Sequence, residues 1–325
     1  SANGSDRRLL YLSAGYLTSI DARTGKSSEG FGDDGRVDLR DALKSDGWDT
    51  TNVRPLVTSN PGRVFENLII VSLPAQGAGY IATPGDVTAW DVRTGKLRWI
   101  FHSIPHPGEF GYDTWPKDSY RTAGGVHNWS ELTVDEGNGI AFVPFGTARY
   151  DFYGGNRAGN NLFTTSMVAI DAMTGTYRWH FQQVHHDLWD YDGPSPVVLF
   201  DLSINGVVRK AAAEPNKAGW VYIVDRTNGK PLIGIDETPV MQEPRQATSA
   251  TQPIPRGDAF VPQSVDIAPE DYTLVNHGRV FTPFWKAPIV AKPGARGGAN
   301  WPPSSYDPSR QRLFEANTNP TAITA

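Results

Sequence analysis

One turn recurs along this chain and restricts what it can fold into: "SIDARTGK" at Asp21, "AWDVRTGKLRW" at Asp91, "AIDAMTGTYRW" at Asp171 and "IVDRTNGK" at Asp225. Each copy is a β-rich run ending in Asp, followed by a tight turn whose Gly can take positive φ. In two copies the next run carries a tryptophan, Trp99 and Trp179. The Asp carboxylate can accept hydrogen bonds from turn amides, and an indole offers a large flat face for packing on a neighbouring unit. The copies start 70, 80 and 54 residues apart (21 to 91, 91 to 171, 171 to 225), intervals that suit four-stranded propeller blades of ~40–50 residues with insertions. A β-sandwich with similar turns is the plainer alternative.

Short β-rich runs support an all-β chain: "NLIIVSL", "GIAFVPF", "SMVAID", "WVYIVD" and "GRVFTPF", most of them bounded by Gly, Asn, Asp or Pro. Only "VDLRDALKSDG", Val37 to Gly47, reads as a helix, with Asp38 as N-cap and Gly47 as stop. Gly (33) and Pro (25) are abundant in the 325 residues, as many tight turns require. "RTGKSS" resembles the end of a phosphate-binding loop, but that motif needs a Gly where Ile20 stands.

A net charge of -5 without any Lys/Arg-rich run argues against nucleic acid as a partner. The absence of cysteine excludes disulfides, thiolate metal sites and C-x-x-C-H haem attachment. No run of about 18 apolar residues is available for a membrane span. The start, "SANGSDRRLL", is not a signal peptide, so the chain is expected to be cytoplasmic or to lack its targeting segment.

The densest chemistry lies in "VHHDLWDYD", Val184 to Asp192, with two histidines and three carboxylates in nine residues. His185, His186 and Asp187 have no metal-site spacing beyond adjacency, and they read as structural. Taken alone, Asp190 suits a turn cap, Lys217 a solvated charge before a strand, and Trp129 blade-to-blade packing. A glycosidase pair is disfavoured, because Asp190 and Asp192 are too close in sequence to flank a bond as acid and nucleophile.

The D-x-x-T-G-x-x-x-W turns together with "WHFQQVHHDLWDYD" resemble the quinoprotein dehydrogenases, eight-bladed propellers that bind pyrroloquinoline quinone (PQQ) and oxidise alcohols or aldose sugars. The resemblance spans nearly the whole chain and is closest to the membrane glucose dehydrogenase and soluble sugar or alcohol dehydrogenase branch, where "FYGGNR", Phe152 to Arg157, also has a counterpart. It implies a single incomplete propeller domain over residues 1–325, with about four or five blades, in a periplasmic protein. The implied activity is oxidation of a primary alcohol or aldose by hydride transfer to the quinone, with electrons passed to a cytochrome c or a membrane quinone. The missing blades would come from the same chain or another. The alternative is a non-catalytic propeller that serves as a binding or assembly scaffold.

The resemblance also assigns roles. Asp190 is the base for the substrate hydroxyl; a carboxylate suits that task because the alcohol loses one hydrogen as a proton and the other as hydride. Lys217, 27 positions later, is the cation at the quinone oxygens, where it stabilises developing negative charge. Trp129 is the ring on which the flat cofactor lies. Thr58 and Ser72 bind cofactor carboxylates, and Asn300 is an amide near the quinone.

A divalent or lanthanide ion, Ca2+ or a heavier analogue, is implied between PQQ and the base, held by Asp190, Asp192 and Gln76. Both members of "DYD" share a face if the segment is extended. The positions of the remaining ligands depart from the family: Gln76 offers only a neutral carbonyl oxygen, and Arg149 carries the wrong sign. Arg149 is therefore expected to pair with Asp190 or Asp192, although Asp151 is close by in sequence.

Overall fold

The computed structural model describes residues 6–58, 60–77, 82–265, 267–268, 270–271 and 273–324. β-strands β1 (Arg8–Ser13), β2 (Tyr16–Asp21) and β3 (Arg36–Asp38) form an antiparallel three-stranded sheet, followed by the short helix α1 (Arg40–Ser45). β4 (Arg63–Phe65), β5 (Leu68–Ser72), β6 (Val87–Asp91) and β7 (Leu97–Phe101) form a four-stranded meander. So do β8 (Thr133–Asp135), β9 (Ile140–Pro144), β10 (Ser166–Asp171) and β11 (Tyr177–Gln182). β12 (Val198–Ile204), β13 (Val207–Pro215) and β14 (Val221–Asp225) make the next sheet, extended by a bridge from Val224 to Pro231. Smaller pairs follow: β15 (Ile235–Pro239) with β16 (Thr251–Pro255), β17 (Ile289–Ala291) with β20 (Ala322–Thr324), and β18 (Ser305–Asp307) with β19 (Arg312–Phe314).

The sheets stack face to face, which explains why their strands read as continuous apolar runs. On β5, Leu68 and Ile70 pack with Ala141, Val143, Val168 and Ile170 of the following sheet, whereas Ile69 and Val71 face Leu17, Leu39 and Leu43 of the preceding unit. The alternation of the strand sends successive side chains to opposite faces, and here both faces are covered. β10 repeats the pattern, with Met167 and Ala169 against Ala212 and Val224. This is the blade stacking of a β-propeller.

The repeated turn locks each interface. In the first copy, Asp21 Oδ1 accepts the Arg23 and Thr24 amides at 2.9 Å each and the Thr24 hydroxyl at 3.2 Å; Asp91 and Asp171 repeat the set. In three of the four copies, at Gly95, Gly175 and Gly229, the turn glycine lies under a ring from the preceding unit, whereas Gly25 of the first copy is open. A Cβ on Gly175 would come 2.6 Å from the Trp99 indole, and one on Gly229 would come 2.5 Å from Trp179. The Trp179 Nε1–H also donates to the Arg226 carbonyl at 3.2 Å. Phe31 takes the same part over Gly95, so both expected tryptophan contacts form and a phenylalanine supplies a third.

Two local readings are corrected. The helix starts at Arg40, not at Val37, because Val37 and Asp38 pair with Leu17 and Tyr16 in the sheet. Asp38 still accepts the Arg40 amide at 2.9 Å, as a turn rather than an N-cap, and Gly47 at φ +85° follows the helix as expected. "GRVFTPF" is not a strand: Phe281 has φ +60°, and Val280, Phe281 and Phe284 are buried from a loop among Trp189, Tyr191 and Trp220.

Candidate active site

The Val184–Asp192 segment is a folded turn held from inside. Asp187 organises it: its Oδ1 accepts the Trp189 amide at 2.9 Å, while Oδ2 accepts the Tyr191 amide at 2.9 Å and the Thr165 hydroxyl at 2.8 Å. The buried Arg157 guanidinium donates to the Asp187 carbonyl and to Asn161 Oδ1. The Trp189 Nε1–H donates to the Thr282 carbonyl at 2.8 Å, and the Tyr191 hydroxyl to the Pro293 carbonyl at 2.6 Å. His186 lies between the Gly159 and Gln246 carbonyls, both at 2.7 Å, and His185 between Gln182 and Glu237. These contacts give His185, His186 and Asp187 structural tasks.

Asp190 and Asp192 reach a common partner. Lys217 Nζ is 3.1 Å from Asp190 Oδ1 and 2.7 Å from Asp192 Oδ2. The segment is not extended; Asp190 sits in the left-handed region at φ +59°. Asp192 Oδ1 accepts the Thr147 amide at 2.6 Å. The Lys217 ammonium also lies 5.5 Å from the Trp129 ring centroid, within cation–π range. Lys217 is itself fixed by its backbone: its N–H donates to the Asp192 carbonyl, and its carbonyl accepts the Gly298 amide at 2.7 Å.

The two carboxylates differ in charge state. Burial and then the Asp192 charge push Asp190 up to about 9. Burial also works against ionisation of Asp192, but the Lys217 ammonium and the Thr147 amide outweigh it and hold Asp192 below the usual carboxylate range. Lys217 is raised despite its burial, because both acids favour its charged form. Partly buried His127 is pushed down to about 4 by desolvation, with Nδ1 lacking a hydrogen-bond partner.

The other expected residues divide. Ser72 ends β5 with its hydroxyl buried and without a hydrogen-bond partner, as is Asn128 Nδ2 beside Trp129. Trp129 also lines a cavity of about 350 Å³ with Asn60, Pro196 and Trp301. Thr58 Oγ1 accepts the Asn60 amide at 3.1 Å, a local turn contact. Asn300 is close to the loop after Asp192, its carbonyl accepting the Ser195 hydroxyl at 2.6 Å, while its side-chain amide donates to the Arg296 carbonyl. Gln76 is tied to a separate loop, its side-chain amide donating to the Pro55 carbonyl at 2.7 Å.

Arg149 does not pair with Asp190 or Asp192; its guanidinium pairs with Asp151, and Lys217 takes both acids instead. With an ammonium between the two carboxylates and Gln76 turned elsewhere, this donor set does not fit a hard cation that takes six to eight oxygens. Sequence reasoning missed Thr147 and the Gly297–Gly298 loop as supports of the site, and it marked Arg157 only as the end of "FYGGNR", without a role.

Stacked meanders stapled by ring-on-glycine turns define a β-propeller, and the acid–lysine–acid group beside an indole is its candidate site. The family model described as "PQQ: Glucose/ethanol/alcohol dehydrogenase, beta-propeller domain" matches residues 1–325, and the chain belongs to that family. It is 30% identical to the quinate/shikimate dehydrogenase (quinone) of Acinetobacter baylyi, over 97% of this chain and 40% of that protein. It is also 30% identical to the quinoprotein glucose dehydrogenase of Gluconobacter oxydans, over 98% of this chain and 40% of that protein. The chain thus spans about two fifths of the length of these curated relatives. Among solved structures, a quinohemoprotein alcohol dehydrogenase from Pseudomonas putida shares the fold with a TM-score of 0.71 at 23% identity, covering 97% of this chain and 42% of that one. A europium-containing methanol dehydrogenase does so with a TM-score of 0.67 at 18% identity, covering 95% and 50%. Among the described residues no helix is long and apolar enough to cross a membrane.

Proposed function

We propose that this chain forms the PQQ-binding part of a dehydrogenase that oxidises a primary alcohol or an aldose sugar, with Asp190 as the base. The observation that carries the reading is the Asp190–Lys217–Asp192 group beside Trp129, in which Lys217 and Asp192 are buried and Asp190 is partly exposed. When bound, PQQ supplies a two-electron acceptor for the hydride of the substrate carbon. Its flat ring and carboxylates match what the chain offers: the Trp129 face, the ammonium of Lys217, and the buried donors of Ser72 and Asn128 that otherwise lack partners. Thr58 and Asn300 are further candidate contacts on neighbouring loops.

Asp190 takes the hydroxyl proton onto its carboxylate. Its high pKa makes it a strong base once ionised, and the ammonium 3.1 Å away favours that ionised form. Asp192 keeps Lys217 charged and in position, while Thr147 holds Asp192. Thus one buried lysine both orients the base and offers positive charge where negative charge develops. Ca2+ or a lanthanide enters this reading only if Lys217 and Gln76 rearrange, so no step depends on it. The names of the relatives are consistent with an alcohol-type substrate and with a quinone as one kind of electron acceptor; a cytochrome c is the other.

The test is to load the full chain with PQQ and measure reduction of an artificial electron acceptor with glucose and with ethanol. Saturable quenching of tryptophan fluorescence by PQQ, lost in Trp129→Ala, together with substrate-dependent reduction, is the expected result. A chain that neither binds PQQ nor turns over either substrate would favour a scaffold role instead.

A further inference from the structure

Away from the Lys217 pocket, the end of α1 and the loop after β7 bring together four groups that the proposed chemistry does not use. Asp46 follows α1 directly, His102 is the first residue after β7, and the His106 amide donates to Glu109 Oε2 at 2.7 Å, closing the loop. The imidazoles of His102 and His106 lie parallel, with centroids 3.7 Å apart and planes 9° from each other. Both Nε2 atoms face one carboxylate: that of His102 is 3.2 Å from Asp46 Oδ1, and that of His106 is 3.7 Å from Asp46 Oδ2. On its other side, His102 Nδ1 is 2.8 Å from Glu109 Oε1. Asp46 Oδ2 is buried without a hydrogen-bond partner. One donor atom each from Asp46, His102 and His106 lie within 4.8 Å of one another.

We propose that Asp46, His102 and His106 form a binding site for a divalent d-block cation of the zinc type, with Glu109 orienting His102. Two imidazole nitrogens and one carboxylate are a donor set that suits zinc and its neighbours, whereas calcium and magnesium take oxygen ligands. Bonds of ~2.0–2.1 Å in a tetrahedron set donors about 3.3 Å apart, so completing the site takes side-chain rotations that close the cluster by about 1–2 Å and turn the two imidazoles out of parallel, so that both Nε2 lone pairs meet at the ion. Glu109 supplies what metal-bound imidazoles commonly require: a carboxylate on Nδ1–H fixes the tautomer and turns the Nε2 lone pair toward the metal. Three protein ligands leave a fourth position for water or a small ligand. His102 and Glu109 also line a cavity of about 250 Å³ walled by Phe110, Phe163 and Tyr177. The site differs in place and donor type from the Asp190–Asp192 pocket, and it ties α1 of the first unit to β7 of the second.

The probe is Co2+ titrated into the chelator-treated full chain, read by visible d–d absorption, with Zn2+ as competitor. Binding of one equivalent, with bands that Zn2+ abolishes, is expected. His106→Gln and His102→Gln should each weaken affinity at least about tenfold, and Glu109→Gln by about 10–100-fold. Asp192→Asn should leave the spectrum and affinity unchanged, because the other pocket is not involved. Circular dichroism of metal-free His106→Gln controls for misfolding; this variant loses no interaction shorter than the 3.7 Å contact to Asp46 through its ring nitrogens. Absence of saturable binding, binding indifferent to both histidines, or binding lost with Asp192→Asn would each overturn the proposal. A histidine variant that changes only the melting temperature would show that the cluster is an ion-pair network and nothing more.

Discussion

Asp190 and Asp192 share one ammonium, and their surroundings separate them: Asp192 has a second donor in the Thr147 amide, while Asp190 has the left-handed tip of the turn. Asp190→Asn keeps the shape of that tip but cannot accept a proton. Turnover of the PQQ-loaded chain should fall by at least ~100-fold, the lower range for loss of a general base, with PQQ affinity close to that of the wild type. Near-normal turnover in a steady-state assay would remove Asp190 from the chemistry. Glu214 poses the opposite case, a fully enclosed carboxyl that burial raises well above its usual range. The folded protein then holds a proton that the unfolded chain releases above about pH 4.3, so this residue lowers stability progressively as pH rises from there toward its folded value. Glu214→Gln should therefore raise stability at pH 8, with the gain vanishing near pH 4. Melting curves at several pH values check this, and a gain independent of pH would contradict it.

At the scale of the element, the ring-on-glycine contact is what makes separate meanders into stacked blades. Trp99→Ala removes a buried indole and should cost ~3–5 kcal/mol. Gly175→Ala should be costly too, since its Cβ would stand 2.6 Å from the indole and the backbone has φ +72°. The two changes should be non-additive, because removing the indole removes the clash. Equal cost of Gly175→Ala in wild-type and Trp99→Ala backgrounds, measured by denaturant melts, would assign the cost to backbone strain alone. The same turn also occurs without glycine. Asp307 accepts the Ser309 amide at 2.9 Å and hydroxyl at 2.6 Å, and Gln311 takes φ +51° where the other copies have Gly. This copy escaped the sequence reading because its defining residues are Ser and Gln rather than Thr and Gly.

Across the whole molecule, the Lys217 pocket depends on a loop far along the chain. Gly298 donates to the Lys217 carbonyl and Ala299 to that of Asn216, while a Cβ on Gly297 would come 2.3 Å from Lys217 Cβ. Gly297→Val should displace Lys217 without altering the stacked sheets. PQQ affinity should drop at least about tenfold, equivalent to about 1.4 kcal/mol, with an unchanged far-ultraviolet spectrum. Unaltered affinity in a PQQ titration would show that the lysine adjusts freely and that the loop is not its support.

The strands, the Asp turns and the docking tryptophans were legible in the sequence because each is settled by neighbours a few residues away: alternation decides a strand, and a carboxylate two or three residues before a turn amide decides the turn. Asp190, Lys217 and Trp129, singled out together from the sequence, also lie together in the structure. What the local pattern did not contain was the pairing. Arg149 had acids available at three positions, and only the three-dimensional course of the chain gave it Asp151 and gave Asp190 and Asp192 to Lys217. For the same reason "GRVFTPF" looked like a strand: its apolar residues were recognised as buried, but sequence alone could not tell burial in a sheet from burial in a loop between Trp189 and Trp220. Short-range hydrogen bonding determined the units from the sequence itself, and only packing between distant segments decided which charges meet.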